Sequence, residues 1–372
     1  MTNPAVRCVK CGFEASSPIS SFCPRCGSPL VYQYENRVFK IDSSRPGVWR
    51  YSSLLPELPE KISKGEGLTP FSRIGGVLVK NERQNPTGTY GDRASALIAS
   101  WIKASGAKSA SLEYVVDFTR SLVYYLDGVV EDLRVIGDIY RIEPEDLFYF
   151  AKKGVELSLL TGSLNDPYVS YINPLTVEGL KTIVFELYEK KVDAKYVVVP
   201  AQTGLLAFSL AKGIADLKEA GIDPGYRVVA AKFKEQPYPS LLKHVREVEI
   251  EEVAGEEVYK SYVELLNKGV YTKILSCLSY IVARRLGNAV AIVTVGYRPS
   301  TRSRKGEVAE LVLEVLRKNK RKMSAYEIWR NSPVYTLRAI YKAVRSLESE
   351  GALCGEVVMK GRKKVKLFEI CQ

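Results

Sequence analysis

Four cysteines near the N-terminus have the spacing of metal ligands. They form two Cys-x-x-Cys-Gly pairs, made by Cys8, Cys11, Cys23 and Cys26. Four thiolates complete a tetrahedral metal site and leave no position open for a reacting water. The spacing therefore predicts a structural Zn²⁺ ion in a zinc ribbon over residues 1–35, with free reduced thiols as the alternative. The other cysteines lie in apolar patterns and are expected to be ordinary buried residues: Cys277, Cys354 and Cys371.

Three further segments carry polar residues in a recognisable order. They read GEGLTP at 65–70, KNERQNPTGTYGDR at 80–93 and NPLTVEGLKTIVFE at 173–186. In this order they resemble the motifs of threonine synthases, members of the fold-type II family that depends on pyridoxal phosphate (PLP). The resemblance covers about residues 1–296 and includes the ribbon, which many members carry. It implies a two-lobed α/β body, here residues 45–297, around a cofactor cleft.

The residue that would hold the cofactor is missing from this motif. In the resembled family the lysine of an SFKDR segment forms the Schiff base with PLP, and here that position is Gly91. Glycine has no amine and cannot form an imine. The alignment is supported by matching neighbours, namely Asn85, Pro86, Thr87, Gly88, Asp92 and Arg93.

Two loops that the resemblance implies are also altered. The phosphate loop reads QTGLL at 202–206, where only Gly204 remains of several glycines, and the carboxylate-binding loop is expected near Ser109, which has no glycine or asparagine beside it. Together with Gly91, these losses argue against PLP as a cofactor. A vestigial pocket for an amino acid or a phosphate ligand could keep Asn85, Thr87, Gly88, Thr203, Gly204 and Thr294. The alternative is that the motifs persist for folding alone.

Hydrophobic patterning predicts the elements that position these residues. Short β-branched runs, typical of buried parallel strands, occur at 77–80, 196–200, 227–231 and 289–294. Helical periodicity lies between them at 92–105, 177–190 and 204–220. This alternation predicts an α/β layered core.

A different pattern follows a polar, basic linker at 297–305. Three helical patterns and two strands around a basic turn predict a winged helix-turn-helix over residues 304–372. Residues 301–372 hold 17 Lys and Arg against 8 Asp and Glu, which predicts a polyanionic partner, with double-stranded DNA preferred to RNA. The expected contacts are Arg338, Lys342 and Arg345 in the third helix and Lys360, Arg362, Lys363 and Lys364 in the turn. A protein-docking role for this module is the alternative.

Composition sets the remaining expectations. No window approaches 18 uninterrupted apolar residues, so no membrane span is expected. Residues 1–8 lack the apolar core of a secretory signal, which predicts a cytoplasmic protein. A homodimer is left open.

These observations favour a catalytically inactive, threonine-synthase-like protein that binds DNA through its winged helix and senses a metabolite in the old cleft. Two alternatives stay open. One is a divergent PLP-dependent lyase with a displaced lysine, such as Lys80 or Lys108. The other is a scaffold whose parts bind other proteins.

Overall fold

The chain folds into two compact units, Met1–Tyr297 and Arg298–Gln372. A computed structural model describes residues 5–158, 167–296, 304–331, 336–361 and 363–371. Within these ranges no helix is both long enough and apolar enough to cross a membrane.

The N-terminal cysteine segment, residues 5–34, packs within the first unit. Its strands β1 (Ala5–Cys8), β2 (Glu14–Ala15) and β3 (Leu30–Gln33) form an antiparallel sheet in the order β2-β1-β3. Side chains of this segment, including Val31 and Tyr32, belong to the main hydrophobic core of the unit. The hydroxyl of Tyr34 donates to Glu178 at a fully buried position. The segment is thus fixed to the body by both apolar and polar contacts.

The larger sheet of the body is mainly parallel. Its strands are β4 (Phe71–Ile74), β5 (Val77–Asn81), β10 (Tyr196–Pro200), β11 (Arg227–Phe233), β12 (Val248–Val253) and β13 (Ala289–Val293). They lie in the order β12-β11-β10-β13-β5-β4, and only the β4–β5 pair is antiparallel. Val197, Val198 and Val199 of β10 are fully buried, as expected for a strand covered on both faces. The predicted α/β class is confirmed.

A second, smaller sheet is wholly parallel. It comprises β6 (Ser109–Glu113), β7 (Asp132–Ile136), β8 (Glu156–Ser158) and β9 (Tyr168–Val169), in the order β8-β7-β6-β9. Ser109 was predicted to mark a ligand loop, and this is wrong because it begins β6. The loop at the carboxyl end of that strand is 114–117, five residues further on.

Seven helices accompany these sheets within the described part of the first unit. They are α1 (Asp92–Ser105), α2 (Phe118–Leu126), α3 (Pro144–Lys152), α4 (Pro174–Glu189), α5 (Leu205–Glu219), α6 (Gly255–Asn267) and α7 (Ser276–Leu286). Asn173 caps α4 by accepting from the Thr176 N–H, and Pro174 follows at the first helical position. The helix therefore begins where the Asn-Pro pair of the sequence motif stands.

In its described residues, the second unit joins three helices to an antiparallel hairpin. Its elements are α8 (Arg304–Asn319), β14 (Met323–Ser324), α9 (Ala325–Asn331), α10 (Leu337–Ser349), β15 (Leu353–Lys360) and β16 (Lys363–Ile370), with the strands in the order β14-β16-β15. Ser324 and Glu327 form reciprocal hydrogen bonds that start α9. Val312, Ile328 and Val344 meet in its core.

The cysteines of the hairpin differ from the sequence expectation. Cys354 and Cys371 form a disulfide, with their Cα atoms 5.2 Å apart, instead of lying as separate buried thiols. They face each other only because the hairpin register brings the end of β16 beside the start of β15. Cys277 is a buried free thiol, as predicted.

A buried ionic network holds the start of α1 against α4. Its members Lys80, Glu82, Arg93 and Glu186 are all fully buried. Arg93 donates to Glu82 Oε2 and Oε1, both at 2.7 Å, and to Glu186 Oε2 at 2.6 Å. Lys80 pairs with Glu186 and donates to the Thr69 carbonyl at 2.6 Å. Burial alone would raise the pKa of Glu82, but Arg93 beside it lowers that pKa to about 2.

We expect Arg93→Ala to lower the free energy of unfolding of the first unit by about 3–5 kcal/mol, because it leaves two buried carboxylates with Lys80 as the one cation of the network. Urea denaturation of the full chain measures this loss. Arg134→Ala is the matched control, since Arg134 pairs with Glu156 at the surface at 3.1 Å and should cost about 1 kcal/mol or less. Equal losses in the two variants would contradict a special role for the network.

Candidate functional site

The sequence-predicted pocket residues meet at one edge of the larger sheet. The loop after β5 carries Asn85, Thr87 and Gly88, the loop after β10 carries Thr203 and Gly204, and Thr294 follows β13. Since β5, β13 and β10 are parallel neighbours, their carboxyl ends share this edge. Open parallel sheets bind ligands at such an edge. We call it the cleft edge.

The turn after β5 is held mainly by internal hydrogen bonds. Asn85 is 1% exposed, its amide donates to Glu82 Oε2 at 2.8 Å, and its oxygen accepts from the Gly67 N–H at 2.8 Å. The Thr87 N–H donates to Asp92 Oδ2 at 2.6 Å. Burial raises the pKa of Asp92 to about 6, although hydrogen bonds to its ionised form oppose that rise. Asn85 therefore links the turn after β5 to Glu82 of the ionic network.

The phosphate-loop counterpart is closely covered. Gly204 has φ +88° and begins α5, and a Cβ built on it would lie 2.7 Å from Cγ of Leu242. The Leu241 N–H donates to the Thr203 carbonyl at 3.1 Å. Glycine is required here by both its backbone angle and the approach of Leu242. The Leu205 N–H at the start of α5 donates to the Thr203 hydroxyl oxygen at 3.4 Å, so the anion donors that this loop can offer are the Thr203 O–H and the next N–H groups in the first turn of α5.

Hydroxyl groups lie where β13 ends. Thr294 is 4% exposed, and its Oγ1 is 3.0 Å from Oγ of Ser276, the first residue of α7. The Thr294 carbonyl accepts from the Tyr90 N–H at 3.0 Å, beside Gly91. This pair of hydroxyls can donate to or accept from a ring nitrogen at the cleft edge.

The two lysines proposed from the sequence as displaced cofactor ligands are poorly placed. Lys80 is fully buried and engaged by Glu186 and Thr69 in the ionic network. Lys108 directly precedes β6, whereas the loop at the carboxyl end of that strand is 114–117. The side chain of Lys108 is 81% exposed. Neither choice of displaced lysine is supported by the structure.

The structure brings a different lysine to the cleft edge. Nζ of Lys273 lies 3.0 Å from Asp117 Oδ2 and 3.1 Å from Glu143 Oε2, and the side chain is 20% exposed. Its backbone N–H donates to the Val295 carbonyl at 3.1 Å. Sequence reasoning missed Lys273 because it lies in no recognisable motif, 182 positions after Gly91.

Contacts around Lys273 place it near position 91. Val295 is bridged to Thr89, two residues before Gly91. Phe118 follows Asp117 directly, and its Cδ2 lies 3.3 Å from the position that a Cβ of Gly91 would take. Lys273 is thus linked to the segment around position 91 through Val295 and through the Asp117–Phe118 pair.

The charge state of Lys273 is set by its two carboxylates. Burial lowers the pKa of Lys273, but the ion pairs with Asp117 and Glu143 outweigh burial and hold the pKa above its usual value. Burial raises the pKa of Asp117, and Lys273 lowers it in part. The lysine is therefore protonated at rest.

An aromatic wall joins the two sheets beside this lysine. The hydroxyls of Tyr90 and Tyr171 are 2.5 Å apart, and the rings of Phe118 and Tyr171 meet edge to face with centroids 4.9 Å apart. Glu113 Oε2 accepts from the Tyr171 N–H at 2.8 Å. These contacts give the cleft an apolar wall with polar hydroxyls.

The donors at the cleft edge match the chemistry that PLP requires. An amine, hydroxyls for the ring nitrogen and N–H donors for a phosphate are all present, although the amine comes from Lys273 and not from position 91. The composition of the donor set therefore fits the cofactor.

The four N-terminal cysteines converge as predicted. Their Sγ atoms all lie within 4.8 Å of one another, and Cys8 and Cys26 are 3.4 Å apart. Gly12 and Gly27 have φ values of +68° and +67°, which lets the backbone turn tightly after the second cysteine of each pair. This four-cysteine cluster could hold a metal ion.

The predicted nucleic-acid contacts are only partly described. Arg338, Lys342 and Arg345 are exposed on one face of α10, and they form no ion pair with any residue in the described ranges. Lys364 is exposed on β16. Arg362 and the side chains of Lys360 and Lys363 lie outside the described residues.

No known protein-family profile matches the chain. Two curated relatives are threonine synthases, one from Methanosarcina acetivorans (24% identical over 249 residues) and one from Methanocaldococcus jannaschii (25% over 251 residues). Each alignment covers 58% of this chain, and they cover 61% and 62% of the respective relatives. The chain thus spans about three fifths of the length of these relatives.

A solved structure extends the comparison to the fold. The crystal structure of a PLP-dependent aspartate racemase superposes with a TM-score of 0.52 at 12% identity, and the match covers 63% of this chain and 92% of the racemase.

These comparisons contradict the prediction that the chain is not an enzyme. That prediction rested on Gly91 together with the two altered loops, and these losses do not exclude an amine from elsewhere in the fold. Both curated relatives and the racemase are named as enzymes, and they point to an enzyme family. The body of this chain resembles the threonine synthases in sequence and has the fold of PLP-dependent enzymes.

Proposed function

We propose that the first unit is a divergent, PLP-dependent, threonine-synthase-like lyase in which Lys273 provides the amine that position 91 lacks. The observation that carries this proposal is the location of Lys273, ion-paired to Asp117 and Glu143 at the cleft edge. The cofactor would supply an electron sink for an amino-acid substrate.

The residues around Lys273 have distinct roles in this proposal. Asp117 and Glu143 hold the ammonium in place by ion pairs, and the amine would have to lose its proton before it could attack a carbonyl carbon. Thr294 and Ser276 would face the ring nitrogen, and the start of α5 would hold the phosphate. The wall of Tyr90 and Tyr171 would limit the access of water.

Borohydride reduction of the full chain after incubation with PLP tests the choice of lysine. We expect a stable pyridoxyl adduct on Lys273, located by peptide mass spectrometry, and loss of that adduct in Lys273→Arg. Lys108→Arg should keep it, because Lys108 lies away from the cleft edge. An adduct confined to other lysines, or none at all, would refute the proposal.

A second proposed function belongs to the second unit. We propose that it is a winged helix that binds double-stranded DNA through α10. The support is the set of three exposed cations with no partner in the described part of the chain, which can approach phosphates without breaking an ion pair. Tyr341, 46% exposed, adds a polar aromatic group to the same helix.

The triple variant Arg338→Glu, Lys342→Glu, Arg345→Glu should weaken binding of a labelled duplex in fluorescence anisotropy. Removing three phosphate contacts should also reduce the slope of log affinity against log salt by about 3. The control reverses three exposed charges on the first unit, Lys190, Lys191 and Lys195. An equal loss of affinity in both triple variants would show that duplex binding depends only on the net charge of the protein, and this would contradict binding through α10.

We also propose that the four-cysteine cluster holds structural Zn²⁺. Four sulfur donors with no histidine favour zinc in a closed site. We expect one zinc per chain by atomic absorption, with a strong chelator lowering the melting temperature as the metal leaves. Cys277→Ser should retain the metal, whereas Cys23→Ser should not. A chain that keeps its melting temperature after losing all metal would contradict a structural role.

A further inference from the structure

A groove of about 620 Å³ lies between the N-terminal cysteine segment and α5, away from the cleft edge. Its floor is apolar, and its volume lies within the range typical of small-molecule sites. The apolar lining comes from Val31 of the cysteine segment, Phe208 and Ile214 of α5, and Tyr226 and Val228 at the start of β11. Neither proposed function uses this space.

The rim of the groove is rich in cations. Four basic side chains line it, Lys212, Lys218, Arg227 and Arg246, together with the single histidine of the chain, His244, and they face two carboxylates, Glu247 and Glu249. Lys212 is occupied by Asp216, and Arg227 lies 3.6 Å from Glu249.

Arg246 differs from these paired cations. Its guanidinium has no hydrogen bond or ion pair to any of the described residues, whereas its backbone N–H donates to Glu247 Oε2 at 3.1 Å. An unpaired planar donor at the mouth of an apolar groove is suited to a carboxylate or sulfonate. Apolar burial and one charge-assisted contact would then act on the same ligand.

We propose that this groove binds an amphipathic monoanion, a molecule with an apolar body and one carboxylate or sulfonate group. The apolar part lies against Val31, Phe208 and Val228, and the anionic group lies against Arg246. Because the cysteine segment forms one wall, the site requires that segment to be folded.

Fluorescence titration of the full chain with 8-anilinonaphthalene-1-sulfonate, displaced by octanoate, tests the proposal. We expect saturable binding that octanoate reverses. Arg246→Glu should weaken binding about tenfold or more, since a hydrogen bond to a charged group is lost. Lys260→Glu, an equal charge change at an exposed residue of α6, should leave it unchanged, because the buried side chains of α6 belong to a different hydrophobic cluster from those of the groove.

A second variant separates the groove from the cleft edge. Ala211 lines the groove, so Ala211→Trp should fill it and abolish binding, with circular dichroism confirming that the fold persists. Absence of saturable binding, or unchanged affinity in Arg246→Glu, would overturn the proposal. The arginine variant changes an exposed side chain, so the test does not depend on whether the tryptophan variant folds.

Discussion

The architecture of the first unit depends on four charges that are fully buried. Lys80, Glu82 and Arg93 come from the sequence segment 80–93, and Glu186 comes from the segment 173–186. The four charges neutralise one another at the join between β5, α1 and α4. Removing charges from water is costly, and only complete pairing compensates for it. The four residues of this network therefore stabilise the fold, and that role does not require a lysine at position 91.

Much of the fold could be predicted from short-range patterns. The run Tyr196–Pro200 reads as a buried strand, and it is one, because β-branched residues in a continuous apolar stretch suit a strand covered on both faces. Helix α1 was predicted with the observed bounds, 92–105. The convergence of the four cysteines was also predictable, because the Cys-x-x-Cys spacing is typical of metal ligands. In each case the information lies within a few neighbouring residues.

The candidate site was harder to predict because its members are far apart in the chain. Lys273 can be recognised as a candidate site residue only from the topology, which places the segment before α7 beside the turn that follows β5. The disulfide between Cys354 and Cys371 depends in the same way on hairpin register. Ser109 was misplaced for a local reason, since the strand begins there and its loop follows five residues later. The sequence motif identified the missing amine at Gly91, whereas Lys273, the replacement that we propose, could be recognised only in three dimensions.

Tyr34 connects the cysteine segment to α4. Its hydroxyl contacts Glu178, whose buried neighbours include Lys181 and Asp216, and the same helix carries Glu186 two turns later. Tyr34 directly follows β3, so a change that loosened the cysteine segment would withdraw this hydroxyl from Glu178. The packing of the four-cysteine segment and the position of α4, which carries Glu186 of the ionic network, are therefore linked through one buried hydrogen bond.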